Sequence, residues 1–378
     1  MRRRCLIAAV SILLAWADLR TAAADEVTVC TQNLWNYGLP EVVQKLRRRA
    51  DRIASIRASL ARQEQALAAR LSGCDIIAFQ ELLGEDDHQA RAALDRLGAV
   101  LEERTGHLYR GRMADTRDVI RNGFLLRTDA ALTEVSFDGR HSSDRLPSIP
   151  AFPQVSWDRG PAELVVELRQ NVPVRGRDDR GVPGAHKAQS TREAERAPVA
   201  ARLRLRVVTA HLKSKSAREG SDDPDGEHWE RRRVVQAGAI LDLARRRQRE
   251  RPAELLFVVG DINCDRGSAA RAVLTGEIDP ATLLSPHDCI GSEGQVECEL
   301  PHRSRVLLDL ADRDPDLRGR GSYRFGGREE LIDGIFASPR AASLARKPGA
   351  APDDYDVELA GRLYEGSDHR LLRVTLRY

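Results

Sequence analysis

An α/β fold class follows from three observations. Short aliphatic and β-branched runs recur along the chain, at 27–31, 75–79, 123–126, 162–168, 203–210, 255–259, 331–336 and 371–376. Stretches with helical apolar spacing lie between them at 41–71, 88–104 and 228–249. The two kinds are interleaved and not grouped in blocks, which is the pattern of strands and helices sharing one domain.

In the first helical stretch Val42, Leu46, Ile53, Ile56, Leu60, Leu67 and Leu71 follow at spacings of 4, 7, 3, 4, 7 and 4, one stripe on an Arg-rich helix. Pro40 stands at its start, where proline is tolerated. In the third, Val234, Val235, Ala239, Ile240 and Leu243 face inward. Residues 170–198 are rich in Arg, Asp, Gly and Pro and poor in apolar side chains. They read as a disordered, solvated insertion between two strands and not as a domain boundary, because strand pattern resumes directly after them.

The chain has 378 residues, 60 Lys and Arg against 57 Asp and Glu, and a net charge of +3. That excess sits in the first 24 residues, where Arg2, Arg3, Arg4 and Arg20 face only Asp18 and the rest is left with 56 of each sign. A globally basic nucleic-acid binder is therefore excluded, and 42% hydrophobic residues exclude a disordered chain.

The same 24 residues read as an export signal. The arginines are followed by residues 5–17, apolar except for Ser11, and by Ala22, Ala23 and Ala24. The apolar run falls short of the roughly 20 residues of a membrane span, and the alanines suit cleavage before Asp25. An uncleaved anchor is the alternative, in which the alanines have no use. The expected mature chain, 25–378, is a single exported domain, periplasmic or extracellular, monomeric and with no stable membrane anchor. It keeps Cys30, Cys74, Cys264, Cys289 and Cys298, an odd number that leaves at least one free thiol. Cys289 and Cys298 flank a Gly-containing turn and are candidates for a disulfide or for two unpaired loop cysteines.

Several apolar runs end in residues of catalytic type: Gln32 and Asn33; Gln80 and Glu81; His211; Gly260, Asp261 and Asn263; Asp333; and Asp368 with His369 before the last strand. One polar residue after a strand is ordinary. Six such ends on one sheet system would converge on a crevice of the kind where open α/β folds bind ligands. Glu81 and Asp368 are hard oxygen ligands and Asn33 adds a neutral one, a set for Mg²⁺ or Ca²⁺ and not for zinc. Asp333 can fix one nitrogen of His369 and leave the other to take a proton from water. His211 on the opposite side could protonate a leaving oxygen. Metal, base and acid together describe in-line hydrolysis of a phosphate ester. Only five lysines occur, and Lys213 and Lys215 fall within one pentapeptide beginning at His211, where an ammonium can hold a phosphate oxygen.

These motifs, in order, resemble the endonuclease/exonuclease/phosphatase superfamily: Gln32-Asn33-Leu34-Trp35-Asn36, Gln80-Glu81, His211, Gly260-Asp261-Ile262-Asn263, Ile332-Asp333-Gly334-Ile335-Phe336 and Ser367-Asp368-His369. The resemblance spans residue 27 to the C-terminus. It implies a four-layer α-β-β-α sandwich of two packed mixed sheets with helices outside. It implies Glu81 as principal metal ligand, with Asn33 and Asp368 close to the ion, which would be Mg²⁺ with Mn²⁺ or Ca²⁺ as substitutes. Asp261 and Asn263 would orient water and phosphate, and His369 with Asp333 would be the base. Arg159 resembles an arginine placed near the phosphate, and Asp118 or Asp115 would orient His211. Lys213, Lys215 and the arginines 231–233 would grip a polyanion. No exposed aromatic stretch suggests a lipid-binding hairpin. The expected activity is that of an exported metal-dependent phosphodiesterase, a nuclease of low sequence specificity acting on nucleic acid. A sphingomyelinase-like phosphodiesterase or a phosphomonoesterase is the alternative, and a non-catalytic binding protein is a third.

Overall fold

The structure, a computed structural model, describes residues 25–46, 53–116, 118–144, 146, 157–169, 202–215, 227–284, 289–291 and 294–378. The expected signal sequence at 1–24 and the expected insertion at 170–198 lie outside the described residues. The first half of the chain forms β1 (Glu26–Tyr37), α1 (Pro40–Leu46), α2 (Ile53–Leu71), β2 (Ile76–Leu83), α3 (Asp87–Thr105), β3 (Tyr109–Met113) and β4 (Ile120–Arg127). The second half runs through β5 (Leu132–Asp138), β6 (Ala162–Leu168), β7 (Leu203–His211), α4 (Glu227–Glu250), β8 (Leu255–Asp261), α5 (Ala269–Thr275) and β9 (Leu308–Asp309). A hairpin of β10 (Tyr323–Phe325) and β11 (Arg328–Glu330) then leads into β12 (Asp333–Ala337), and β13 (Val357–Ala360) and β14 (Leu371–Arg377) end the chain.

The strands make two six-stranded sheets, β13-β14-β1-β2-β4-β3 and β5-β6-β7-β8-β12-β9. Each is mixed: β1 and β2 are parallel in one and β7 and β8 in the other, with antiparallel neighbours outside them. The last two strands return to the first sheet, where β14 lies beside β1. Side chains of period two explain the layers. Val27 and Val29 of β1, Ile76 and Ala78 of β2, Leu205 and Val207 of β7, and Leu255, Phe257 and Val259 of β8 share the core between the sheets. The alternate residues Cys30, Ile77 and Phe79 pack outward under α2 and α3. Val208, Val258 and Phe336 pack outward under α4 and α5. The result is the four-layer sandwich expected, two packed mixed sheets between helices.

The apolar stripe at 41–71 falls on two helices, α1 and α2, on either side of residues outside the description. Helix α3 has the terminal chemistry that helices need. The side chain of Asp86 accepts from Gln89 N at its start, and Gly106, at φ 73°, donates its N–H to Glu102 O at its end. Two disulfides are present. Cys289–Cys298 joins the residues singled out by spacing. Cys30–Cys74 is a second pair that spacing did not suggest. Its origin is the parallel pairing of β1 with β2, which sets Cys30 opposite Ile77 and brings Cys74, two residues before β2, alongside β1. Cys264 is the free, buried thiol. Among the described residues no helix is long and apolar enough to cross a membrane.

Candidate active site

The crevice lies where the core between the sheets changes from apolar to polar. On β7 the inward series Leu205, Val207 continues as Thr209 and His211. On β8, Leu255, Phe257 and Val259 continue as Asp261. On β1, Val27 and Val29 continue as Thr31 and Asn33. On β12 the series runs the other way, because that strand is antiparallel to β8: Asp333 comes first, then Ile335 and Ala337. Pairing sets His211 opposite Asp261, and Asp261 opposite Asp333, so the three stand side by side across neighbouring strands. Asp333 and His369 therefore enter from strand beginnings, and Asn33, His211 and Asp261 from strand ends.

Glu81 breaks this period. By strict alternation it would point outward with Ile77 and Phe79. The β2–β4 register shifts between Phe79 and Leu82, and Glu81 has φ 62°. A bulge of this kind re-aims a side chain, and Glu81 Oε1 comes within 3.9 Å of His211 Nε2. Gly260 serves the same region by having no side chain. At φ 147° a Cβ there would stand 1.9 Å from Ala210 O, so only glycine lets β8 approach β7 just before Asp261.

Asp261 is the hub. Its Oδ2 accepts from Asn33 Nδ2 at 3.1 Å and lies 3.6 Å from His211 Nε2 and 3.9 Å from His369 Nε2. Its Oδ1 accepts the Asn263 N–H at 2.9 Å. Burial first, and then the charges of Asp333 and Glu81, raise its carboxyl to about 7 against the opposing pull of His369. Asp368 is raised to about 6, mainly by burial, with Glu81 adding to the rise.

His369 Nδ1 is 2.8 Å from Asp333 Oδ2. Asp333 is held in turn: its N–H donates to Ser322 Oγ at 3.1 Å and its carbonyl accepts from Arg271 Nη2 at 2.7 Å. Burial lowers the basicity of His369, but Asp333, Asp261 and Asp368 together outweigh it and raise its pKa to about 10. His211 is the opposite case. Arg159 Nη1 lies 2.7 Å from its Nε2 and 3.2 Å from its Nδ1. Burial, followed by the charges of Arg159, His369 and Lys213, drives its pKa well below the usual imidazole value. A guanidinium has no acceptor, so it donates to His211, and Nε2 carries no proton in this arrangement.

A divalent cation fits this set on the structure's own terms. Asp368 Oδ1 is buried with no hydrogen-bond partner, and an orphaned carboxylate oxygen of that kind calls for an unfilled electrostatic role. The donor atoms of Glu81, His211 and Asp261 lie within 4.8 Å of one another, as do those of Asp261, Asp333 and His369. Asn33 Oδ1 accepts the Trp35 N–H at 2.8 Å while its nitrogen holds Asp261. Hard oxygen donors predominate, as Mg²⁺ or Ca²⁺ requires.

Other expected residues divide. Arg159 is buried beside His211, and its Nε has no hydrogen-bond partner. Lys213 Nζ is 4.0 Å from Asp158 and 4.2 Å from the Trp229 ring centre. Lys215 Nζ pairs with Glu330 Oε2 at 2.5 Å and stands over Phe325. Arg232 pairs with Asp158 at 2.7 Å, and Arg233 is buried against Glu230 and Lys213 O, so neither is a rim cation. Asn263 Nδ2 is used by Leu212 O. Asp118 accepts the Val119 N–H, and Asp115 donates its N–H to Gly139 O. Among the described residues no carboxylate hydrogen-bonds His211, and Arg159 is its partner instead. Two further residues take part that the sequence reading gave no role in the site. Tyr323 lies with its ring 4.9 Å from that of His369. Asn122, buried, donates to Gly160 O at 3.1 Å and so braces the segment carrying Arg159. Asn122 continues the inward face of Phe124 and Leu126 on β4, so the period-two signal was there to read.

Fold and site together define a two-sheet α/β sandwich with a carboxylate–imidazole crevice at one end. No protein-family description matches the sequence, and no curated protein matches it. Solved structures similar to it include a truncated TDP2 from Caenorhabditis elegans, with 13% identity, 93% of this chain and 98% of that one covered, and a TM-score of 0.48. An endonuclease/exonuclease/phosphatase family protein from Bacteroides thetaiotaomicron gives 15%, 94%, 98% and 0.46. ANGEL2, a 2′,3′-cyclic phosphatase, gives 12%, 94%, 95% and 0.47. At such identities the likeness concerns the course of the chain, and what those proteins act on remains theirs.

Proposed function

We propose that the mature chain is an exported, divalent-metal-dependent phosphodiesterase, a nuclease of low sequence specificity. The observation that carries this is the convergence on Asp261 of two buried imidazoles, Glu81 and Asn33, with the orphaned carboxylate of Asp368 beside them. Glu81 and Asp368 would hold Mg²⁺, which supplies positive charge that polarises the phosphate and offsets the carboxylates that otherwise keep His369 protonated. Asp333 fixes Nδ1 of His369 and turns Nε2 toward Asp261, so that nitrogen is placed to take a proton from attacking water. Asn33 and the Asn263 N–H fix the rotamer of Asp261. Arg159, held by the unprotonated Nε2 of His211, faces the same space and would donate to the phosphate oxygens. Two disulfides fit an oxidising compartment and so support export.

The test is to incubate residues 25–378 with Mg²⁺ and, in parallel, plasmid DNA, RNA, sphingomyelin and inositol phosphates. Nucleic-acid cleavage that stops on chelation is expected. Lipid release with intact nucleic acid would replace this reading with the phospholipid one.

A further inference from the structure

The sequence has 4% aromatic residues and no aromatic run, yet the fold gathers several rings at the mouth of the crevice. Trp35 and Tyr364 meet edge to face with ring centres 6.3 Å apart. Tyr323 lies against His369. Burial raises the Tyr323 hydroxyl pKa, and the charges of Asp368, Tyr364, Asp261 and Glu81 add to the rise. The rings share short loops with those groups: Trp35 follows Asn33 by two residues and Tyr364 precedes Asp368 by four. Tyr364 is 57% exposed. Trp35 and Tyr364 also have positive φ, 53° and 65°, which is uncommon for bulky residues and costs about 1 kcal/mol or more each. Hydrophobic burial does not explain an exposed ring held at that cost.

We propose that Trp35, Tyr364 and Tyr323 form a base-stacking track, and that the substrate strand enters single-stranded, with unpaired bases laid on these rings beside the scissile phosphate. The inference rests on the nuclease reading and narrows it. A π-face serves any base, which suits low sequence specificity, whereas bases inside a duplex are already stacked and cannot reach the rings. Aromatic rings near carboxylates could also cage a quaternary ammonium headgroup. The charges here favour the nucleic acid. Arg324, directly after Tyr323, is tied to Glu329 at 3.4 Å, but Arg362 precedes Tyr364 by two residues and is exposed, and a cation among the rings attracts a polyanion and repels a choline group.

The experiment compares kcat/KM of the full mature chain with Mg²⁺ on three substrates: a short single-stranded oligodeoxynucleotide, the same strand in a duplex, and an abasic strand of equal length. The single strand should be preferred over both others by about tenfold, the scale of one stacked base. Tyr364→Ala should raise KM on the base-bearing strand about tenfold and narrow its advantage over the abasic one, and Tyr364→Trp should restore it. Equal kcat/KM on base-bearing and abasic strands overturns the stacking track and leaves the nuclease reading intact. Cleavage of none of the three, with headgroup release from choline-lipid micelles, overturns both. The wild-type comparison needs no variant, so a misfolded Tyr364→Ala cannot obscure the answer.

Discussion

His369 and His211 approach Asp261 Oδ2 at 3.9 and 3.6 Å. Both are buried imidazoles, and burial alone disfavours charge on each. Their other partners decide the outcome. His369 has the carboxylate of Asp333 at Nδ1 and is pushed to about 10. His211 has the guanidinium of Arg159 and is pushed well below the usual range. The comparison teaches that the residue type sets a titration range and the second partner sets the role. One side of the crevice is built to hold and release a proton, and the other to present a cationic donor, Arg159, to an anion.

The largest effect should come from the group that reaches between the two sides. Glu81→Gln removes a metal-binding charge, and kcat should fall on the order of 10⁴-fold, since metal polarisation supplies several kcal/mol. In the same variant the rise in Tm that saturating Mg²⁺ gives the wild type, worth about 2.7 kcal/mol at a hundred times Kd, should vanish. A variant that still gains the full rise would remove Glu81 from the metal site. On the proton-handling side, His369→Ala should cost about 10³-fold in kcat, and unchanged turnover would end the base assignment. Asp333→Asn keeps the shape and loses the charge. A loss of about 10²-fold is expected, with NMR showing the His369 pKa falling from its raised value.

How much of this contrast was legible without coordinates depends on its origin. Thr31-Gln32-Asn33, Ala210-His211 and Val259-Gly260-Asp261 are strand residues of period two, so the meeting of Asn33, His211 and Asp261 follows from the alternation once the strands are drawn. The order Asp333, Ile335, Ala337 reads the same way, from the start of a strand and not its end. Glu81 was found by its type, but its direction depends on a bulge that no pattern of apolar residues encodes. The resemblance implies a carboxylate, Asp118 or Asp115, as the partner of His211. Arg159 sits 52 residues away, and only the β6–β7 pairing brings its segment alongside. Trp35 and Tyr364 are more than 300 residues apart in sequence, and the return of the C-terminal strands to the first sheet brings them together.

The anion side can be probed by two cations that look alike in sequence and differ in place. Arg159 is buried beside His211 with Nε unpaired, whereas Lys215 is tied to Glu330 at 2.5 Å and is about one-fifth exposed. Arg159→Met should raise KM and lower kcat/KM by about 10- to 100-fold, because a charge-assisted contact to phosphate contributes about 1.5–3 kcal/mol. Lys215→Met breaks a partly exposed pair, and such pairs are worth about 0–1 kcal/mol. Its kcat/KM should fall less than about fivefold at low salt, with the difference fading as salt screens the site. Measured side by side across ionic strength, the two variants should diverge. Convergence on one large, salt-dependent loss would mean that Lys215 leaves Glu330 for the substrate, and the division of the crevice into a buried grip and a satisfied rim would no longer hold.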